Sequence, residues 1–513
     1  MVVRKISYYR VIVSLCLFMF LLSPVFGDEN SAVSFDKELS ENNIVTIQPD
    51  SLRILHNPLT GWVLYASMGV DAADFWAQYD HMYIPELGHN VSVTDYAHTL
   101  YIRASWTDFN PQEDVYGWKI DSNLRAYIEG AYQRNIVDSR DKRTEFTPQF
   151  VKDAGAKGFM NKGKWSPYSD DPVFQKYYTK FVKALAKDFN DPSKVEFIDG
   201  FGLGKWGEYH TMIYSTGDDT PKKAVFNWVT DIYSQAFDKV PVVINYHRWI
   251  GAGKDWVDDE HFAADSEEML EEAIKKGYSL RHDAFGMTTY YGSWERRFAK
   301  KYRNICPIIM EGGWIVKSHN YWQDPRGYRK DSHEDVRRGE FDDSKEAHVN
   351  MMDFRFGDTK SWFKDAFDLV RRFLREGGYR LYPSEISLPL EVSKKTTPTI
   401  KHCWNNLGWG YCPTNIPQWN QKYKVAFALL DSETNEVRYT FVDTNTDLSK
   451  WIKGSPAEYV FEPDMSKVET GTYVWAVGLV DRSNKDLIGL DIAAKGDILD
   501  SGWLKLSKVS IKK

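Results

Sequence analysis

Hydrophobic and polar positions change rhythm along the chain. Up to about residue 386, short apolar runs alternate with longer stretches of helical period; beyond it, only short runs separated by turns remain. In the first part the apolar runs are Thr60–Ser67, Thr99–Trp106, Val195–Ile198, Val240–Tyr246, Ala284–Tyr291 and Cys306–Trp314. The clearest helix between them is Pro172–Phe189, with Phe174, Tyr177, Tyr178, Phe181, Leu185 and Phe189 on one face. Further helices are predicted over 122–134, 221–237, 293–302 and 361–376, the last stopped by Gly377-Gly378. Asp265 with Glu268 has the spacing of a capping box opening another. This alternation predicts an α/β fold, a (β/α)8 TIM barrel over residues 52–387. One strand fits it poorly: the third has only Asn135–Asp138 before the charged stretch Ser139–Glu145. A long polar insertion, Lys317–Asp358, follows the seventh, and Tyr379–Ile386 is expected to close the barrel as the eighth.

Residues 388–513 carry runs at Tyr423–Leu430, Val437–Val442, Glu458–Phe461, Tyr473–Val480 and Leu504–Ile511, which predict a C-terminal β-sandwich domain. At the other end, residues 28–51 are polar and aperiodic, a tether or a loose first strand. Met1–Gly27 has the three parts of a secretory signal: Arg4, Lys5 and Arg10, then the apolar Val11–Leu22, then a small-residue exit before Asp28. Export to a bacterial periplasm or cell exterior is therefore expected, with no membrane-spanning segment after signal removal.

Composition narrows the function. A length of 513 residues suits two domains, and a net charge of −7 argues against nucleic acid or an anionic membrane as partner. The 19 Trp exceed what core filling alone needs, and a flat indole face suits a sugar ring. Of the cysteines left after signal removal, Cys403 and Cys412 pair with Cys306 buried in its strand, or all three are free thiols; both readings stand.

The chemistry gathers in two stretches. Lys194–Thr211 runs from apolar residues into Gly200, Gly202 and Gly204 and then delivers Trp206, Glu208, Tyr209 and His210; Cys306–Trp314 ends in Glu311, two glycines and Trp314. Roughly a hundred residues separate the two glutamates, the span of three βα units of about 31 residues. That spacing puts them on strands four and seven, facing each other across the barrel mouth. Two carboxylates are the minimum for glycoside hydrolysis. Trp206 and Tyr209 are expected to desolvate Glu208 and raise its pKa, Arg103 to hold a partner carboxylate ionised, and Tyr290 or Tyr291 to orient Glu311. Gly202–Gly207 matches G-x-G-x-x-G, but Trp206 stands where a pyrophosphate would approach. His210, His247, His282 and Asp283 lack metal-ligand spacing and read better as sugar-binding polar residues at strand ends, so neither a metal nor an organic cofactor is expected.

Gly-Lys-Trp-Gly-Glu-Tyr-His at 204–210 with Ile-Met-Glu-Gly-Gly-Trp at 309–314 resembles the barrels of clan A glycoside hydrolases. With Asn57–Trp62 near the start and a trailing β-sandwich, the chain is most similar to little-characterised glycosidase-like families of secreted bacterial proteins. The resemblance covers most of residues 50–510. It implies a retaining mechanism with Glu208 as acid/base, Glu311 as nucleophile and Arg103 in support. Trp106, Trp206, His210, Asn245, Tyr290 and Trp314 complete the expected carbohydrate contacts. One departure stands out: the clan places Asn before the acid/base, and here Gly207 takes that position, leaving His210 or Asn245 to hold the sugar. The competing readings are a non-catalytic glycan-binding protein using the same cleft and a structural surface protein without a ligand.

Overall fold

The computed structural model describes residues 42–67, 70–133, 137–143, 147–161, 163–253, 260–285, 290–313, 333–355 and 358–513. Eight parallel strands close into a barrel: β1 (Gly61–Ser67), β2 (Ala97–Ser105), β3 (Val137–Arg143), β4 (Val195–Asp199), β5 (Val242–Asn245), β6 (Tyr278–Phe285), β7 (Ile308–Gly312) and β8 (Met351–Asp353), with β8 pairing back onto β1. The (β/α)8 barrel is thus present, and a two-sheet sandwich follows it.

In most of the described strands side chains alternate between the two faces, as a pleated wall requires. Trp62, Leu64, Leu100, Ile102, Val242, Ile244, Ile308 and Met310 face outward into the helix layer, where they join Phe174, Tyr178 and Phe181 of helix Pro172–Phe189. That helix starts where Asp171 accepts from the amides of Val173 and Phe174 and Pro172 follows. Facing inward, Val63, Tyr65, Tyr101, Phe197, Val243, Ile309 and Met351 fill the foot of the barrel. The same apolar cluster continues through Leu381, Trp404, Trp419, Phe427 and Trp475 of the sandwich, so barrel foot and sandwich share one core. Glu41–Lys513 is accordingly a single compact unit.

One sandwich sheet orders Asn42–Thr46, Leu381–Pro389, Ile400–Asn406 and Ala457–Phe461; the other orders Glu391–Ser393, Leu504–Lys512, Gly471–Asp481, Tyr423–Asp431 and Val437–Asp443, with Leu487–Leu490 beside Gly471–Asp481. Part of the expected tether is therefore a true strand, Asn42–Thr46, paired antiparallel with Leu381–Pro389.

Several expectations are corrected. The third strand is not short: β3 runs through the charged stretch and pairs with β2 from Thr99↔Val137 to Ser105↔Arg143. The sixth begins six residues before the expected Ala284, because Arg281 and Asp283 point into the barrel and break the apolar pattern that marks a strand. Tyr379–Ile386 does not close the barrel; most of it lies in Leu381–Pro389, paired with Ile400–Asn406 in the sandwich. The closing strand is the three-residue β8, which lies with helix His333–Glu346 inside what reads as a polar insertion. Asp265 caps nothing. It lies within helix Glu260–Lys275 and accepts from the buried Lys222 ammonium at 2.6 Å. Cys306, Cys403 and Cys412 are free thiols, so the Cys403–Cys412 pairing does not form.

At the barrel foot a cavity of about 510 Å³ opens between Glu196, His98, Lys422, Tyr423 and Asp481. Burial pushes the Glu196 carboxyl up to about 7, against the Leu59 amide that it accepts from and the charge of Lys422. A carboxyl raised in the folded state binds its proton more tightly there, so its contribution is full below the ordinary value of 4.5 and lost as pH rises through about 7. Glu196→Gln keeps an acceptor for Leu59 and cannot ionise. Denaturant unfolding of both proteins at pH 4.5 and pH 8 is expected to show the wild type losing up to about 3 kcal/mol relative to the variant over that interval.

Candidate active site

Above the apolar foot, the inward positions become ionic. Arg103 on β2, Asp199 at the end of β4, Asn245 at the end of β5, Arg281 and Asp283 on β6, Glu311 on β7 and Asp353 on β8 are all buried. Arg281 lies at the centre, its guanidinium 4.5 Å over the Tyr101 ring. It reaches Asp283 at 2.8 Å, Asp353 at 3.1 Å, Asp199 at 3.5 Å and Glu311 at 3.8 Å. Four strands are thus tied to one cation. Arg103 makes the second bridge, 3.4 Å from Glu208 and 3.6 Å from Glu311, while donating to Tyr65 Oη at 3.1 Å and to the Trp206 carbonyl. Arg355 stands 3.8 Å from Glu311 on the outer side.

Glu208 comes from the glycine-rich loop after β4. The loop is pinched shut by the Tyr209 amide donating to the Leu203 carbonyl at 2.8 Å and the Lys205 amide to the His210 carbonyl at 2.9 Å. So tight a turn forces Trp206, Tyr209 and Thr211 to φ of 58°, 60° and 52°, a cost that a functional loop often carries. Gly207 has φ 81°, a region favouring glycine. Outside the loop, His247 Nε2–H donates to the Glu208 carbonyl at 2.6 Å and its Nδ1 accepts from the Trp249 amide at 3.1 Å; together these set its neutral tautomer.

The sequence candidates divide. Glu208, Glu311, Arg103, His210, Asn245 and Tyr290 converge. His210 Nε2 meets Glu208 Oε2 at 3.3 Å, Tyr290 Oη donates to the same oxygen at 3.1 Å, and Asn245 Nδ2 donates to Tyr290 Oη at 3.1 Å. Tyr290 therefore orients Glu208 and not Glu311. Tyr291 packs instead against His282 and Phe285. Trp106 is no sugar platform: it is fully buried behind the barrel wall, edge-on to Tyr178 and Phe174. Trp206 is 38% exposed and lines a cleft of about 430 Å³ with Lys205, Phe159 and Lys164, beside the carboxylates but not containing them. Trp314 lies outside the described residues. Arg281, Asp353 and Arg355 do not stand out in the sequence, and Asp283 reads there as a sugar-binding polar residue at a strand end, whereas here it is tied to Arg281. Their signal was polar residues at alternate positions, 281 and 283, entering an apolar run.

The expected elevation of Glu208 is also corrected. Burial does push its carboxyl upward, but the hydrogen bond and charge of His210, the charge of Arg103 and a hydrogen bond from Asp283 outweigh it, leaving the group below the ordinary range. Tyr209 does not hem it: its ring packs on Phe201 and its hydroxyl donates to the Lys222 carbonyl. Asp283 moves the other way, raised by burial and by the charges of Glu311 and Glu208 against Arg281. Burial carries Asp353 up to about 6.

Glu208, Asp283 and Glu311 can each offer an oxygen, all within 4.8 Å of one another. Three such oxygens are a donor set for a hard cation. The guanidiniums of Arg103, Arg281 and Arg355 already stand against them, and a divalent ion there would face three positive charges.

No protein-family model and no curated protein sequence matches the chain. Solved structures similar to it include an endo-glycoceramidase II from Rhodococcus sp., at 12% identity over 82% of this chain and 99% of that one, with a TM-score of 0.37. An endo-beta-1,4-mannanase from Thermotoga petrophila matches at 12% identity over 89% and 98%, TM-score 0.39. A family 39 glycoside hydrolase from Bacteroides cellulosilyticus WH2 matches at 9% over 79% and 81%, TM-score 0.39. Likenesses this distant carry no inference about activity; the barrel rests on its own strand pairing.

Removing the central cation tests the ionic layer. Arg281→Met leaves buried carboxylates without their counter-charge, and unfolding at pH 7 is expected to show a loss of about 3–5 kcal/mol. In the variant those carboxyls have folded-state pKa values above their unfolded ones. The deficit should therefore shrink when the same unfolding experiment is run near pH 4.5.

Proposed function

We propose that the protein hydrolyses O-glycosidic bonds of a poly- or oligosaccharide by a retaining, two-carboxylate mechanism. One observation carries the reading: carboxylate oxygens of Glu208 and Glu311 lie within 4.8 Å of each other at the carboxyl-terminal mouth of a (β/α)8 barrel, bridged by Arg103. Retaining glycosidases hold their two carboxyl groups about 5–5.5 Å apart, whereas inverting ones need about 6.5–9.5 Å to admit a water. Glu311 is the nucleophile in this reading. Arg103, Arg281 and Arg355 stand within 3.6–3.8 Å of it. Glu208 is the acid/base. The partly exposed Trp206 beside the site, with Lys205 Nζ 4.0 Å over its ring, is the contact offered to the first sugar. Export under the Met1–Gly27 signal belongs to the same proposal, and a mature chain starting at Asp28, found by N-terminal sequencing of the exported protein, supports it.

One observation favours the alternative, a non-catalytic glycan-binding barrel. Glu208 is held ionised, and a general acid must carry a proton. The two readings part on product release. A panel of plant, algal and host glycans is incubated with wild type, Glu208→Gln and Glu311→Gln, with binding and reducing ends both measured. The expected outcome is release by the wild type that falls by about 10²–10⁴-fold or more in each variant while binding persists. Binding without release in all three proteins contradicts hydrolysis and leaves the glycan-binding barrel.

A further inference from the structure

The cavity at the barrel foot lies at the opposite end of the strands from Glu311, and it is built like a site of its own. We propose that it binds a small polyhydroxylated molecule, a free sugar or a polyol, held between barrel and sandwich. The inference goes beyond the glycosidase reading and does not depend on it.

Three parts of the chain wall the cavity. The barrel supplies His98, the second residue of β2, and Glu196, the second of β4. The sandwich supplies Lys422 and Tyr423, where the strand Tyr423–Asp431 begins, and the turn 481–484 that follows Gly471–Asp481. The third wall is the segment 56–58, which precedes β1. Asn57 ties that segment to the sandwich. Its Nδ2 donates to the Asp491 carbonyl at 3.0 Å, and its Oδ1 accepts from the Asp491 amide at 2.7 Å. The His56 amide adds a bond to Asp491 Oδ2 at 3.1 Å. Asn57, which opens the Asn57–Trp62 segment that stands out in the sequence, therefore builds this wall and not the mouth. Walls fixed by bonds from both domains form the site before a ligand arrives, which lowers the cost of binding.

The lining chooses the ligand. A volume of about 510 Å³ falls among small-molecule sites, which span about 300–1,000 Å³. The inward face of the foot is otherwise apolar, yet Glu196 and His98 are each only 8% exposed. Glu196 Oε1 accepts from the Leu59 amide. Neither ring nitrogen of His98 has a hydrogen-bond partner among the described residues; the exposed His56 ring lies against it, centroids 4.3 Å apart. A packing residue has no use for unmatched nitrogens, and a binding residue does. Burial and the neighbouring His56 lower His98 to about 3, so its ring is neutral, with one N–H to donate and one lone pair to accept. Glu196, raised by burial to about 7, likewise donates as well as accepts near neutral pH. On the sandwich wall Lys422 and Asp481 face each other at 3.6 Å, an ion pair closed on itself. The lining thus offers donors and acceptors together, and a hydroxyl group is the ligand group that answers both at once. Pro58 and Pro192 add apolar contact for the carbon faces of such a molecule.

The test is binding to the mature full-length protein, by ligand-observed saturation-transfer NMR and calorimetric titration. The probes are glucose, galactose, mannose, xylose, cellobiose and lactose as sugars, with glycerol and myo-inositol as polyols. Three variants locate the site. His98→Phe keeps a ring of similar shape and removes both nitrogens. Asn484→Trp alters an exposed side chain on the cavity rim and narrows its entrance without touching the core. Trp206→Ala alters the mouth only. At least one probe is expected to bind with a Kd of about 10 mM or lower, and His98→Phe and Asn484→Trp each to weaken it by about tenfold or more. Trp206→Ala should leave the Kd within about twofold. Without probe, His98→Phe is expected to melt no lower than the wild type, since it removes unmatched buried polar atoms. If that variant fails to fold, Asn484→Trp decides alone. Binding of sugars without polyols names a sugar as the ligand, and the reverse names a polyol. No binding of any probe at about 10 mM overturns the proposal, as does binding that neither foot variant weakens. Binding lost in Trp206→Ala alone also overturns it and places the sugar at the mouth. A wild type that binds a probe at the foot and hydrolyses no glycan contradicts the glycosidase reading and leaves this site standing.

Discussion

A guanidinium buried among four carboxylates is the constraint on which the rest of this structure depends. Arg281 is fully buried inside a closed barrel, and Asp199, Asp283, Glu311 and Asp353 reach it from strands β4, β6, β7 and β8. Buried ion pairs stabilise a fold little, since desolvation consumes most of the attraction, but removing one partner is costly. Their effect here is positional. Each carboxylate is held at the height of one cation, and Arg103 repeats the arrangement one step nearer the mouth by bridging Glu208 to Glu311. The stability that supports this layer comes from below. Val63, Phe197, Val243, Ile309 and Met351 form an apolar foot continuous with the sandwich core, so the second domain acts as the base of the first.

Loop strain and hydrogen bonding then place the one acid that no strand holds. Glu208 follows a turn in which Trp206 and Tyr209 take positive φ, and its carbonyl is fixed by His247 while its carboxylate is fixed by Arg103, His210 and Tyr290. A loop so constrained has little freedom to relax, which is the preorganisation that charge-developing chemistry needs. The same contacts hold the Glu208 carboxyl below the ordinary carboxylate range despite its burial.

Much of this was legible in the sequence. The strand–helix alternation predicted the barrel, the short runs after Leu388 predicted the sandwich, and matched glycine and Trp surroundings brought out Glu208 and Glu311, which the fold brings together. What escaped has one physical cause. Sequence periodicity marks a strand by apolar residues, and a barrel whose upper interior is ionic puts Arg281, Asp283 and Asp353 where apolar residues are expected. So the apolar pattern starts β6 too late and passes over β8, only three residues long, in favour of a sandwich strand; β3 reads as short because its own sequence is charged. Trp106 was misplaced for the converse reason: nothing local distinguishes an indole at the mouth from one packed under a helix.

The most direct test of the proposed chemistry is to trap its covalent intermediate. The protein is incubated with a series of fluorinated glycosyl fluorides of differing sugar, and adducts are found by intact mass and peptide mapping. The expected result is a mass gain of one sugar on the wild type, located at Glu311 and absent from Glu311→Gln. Label on a different carboxylate contradicts the assignment of the nucleophile. No label from any sugar, in a preparation that hydrolyses one of the corresponding glycosides, contradicts the retaining mechanism itself.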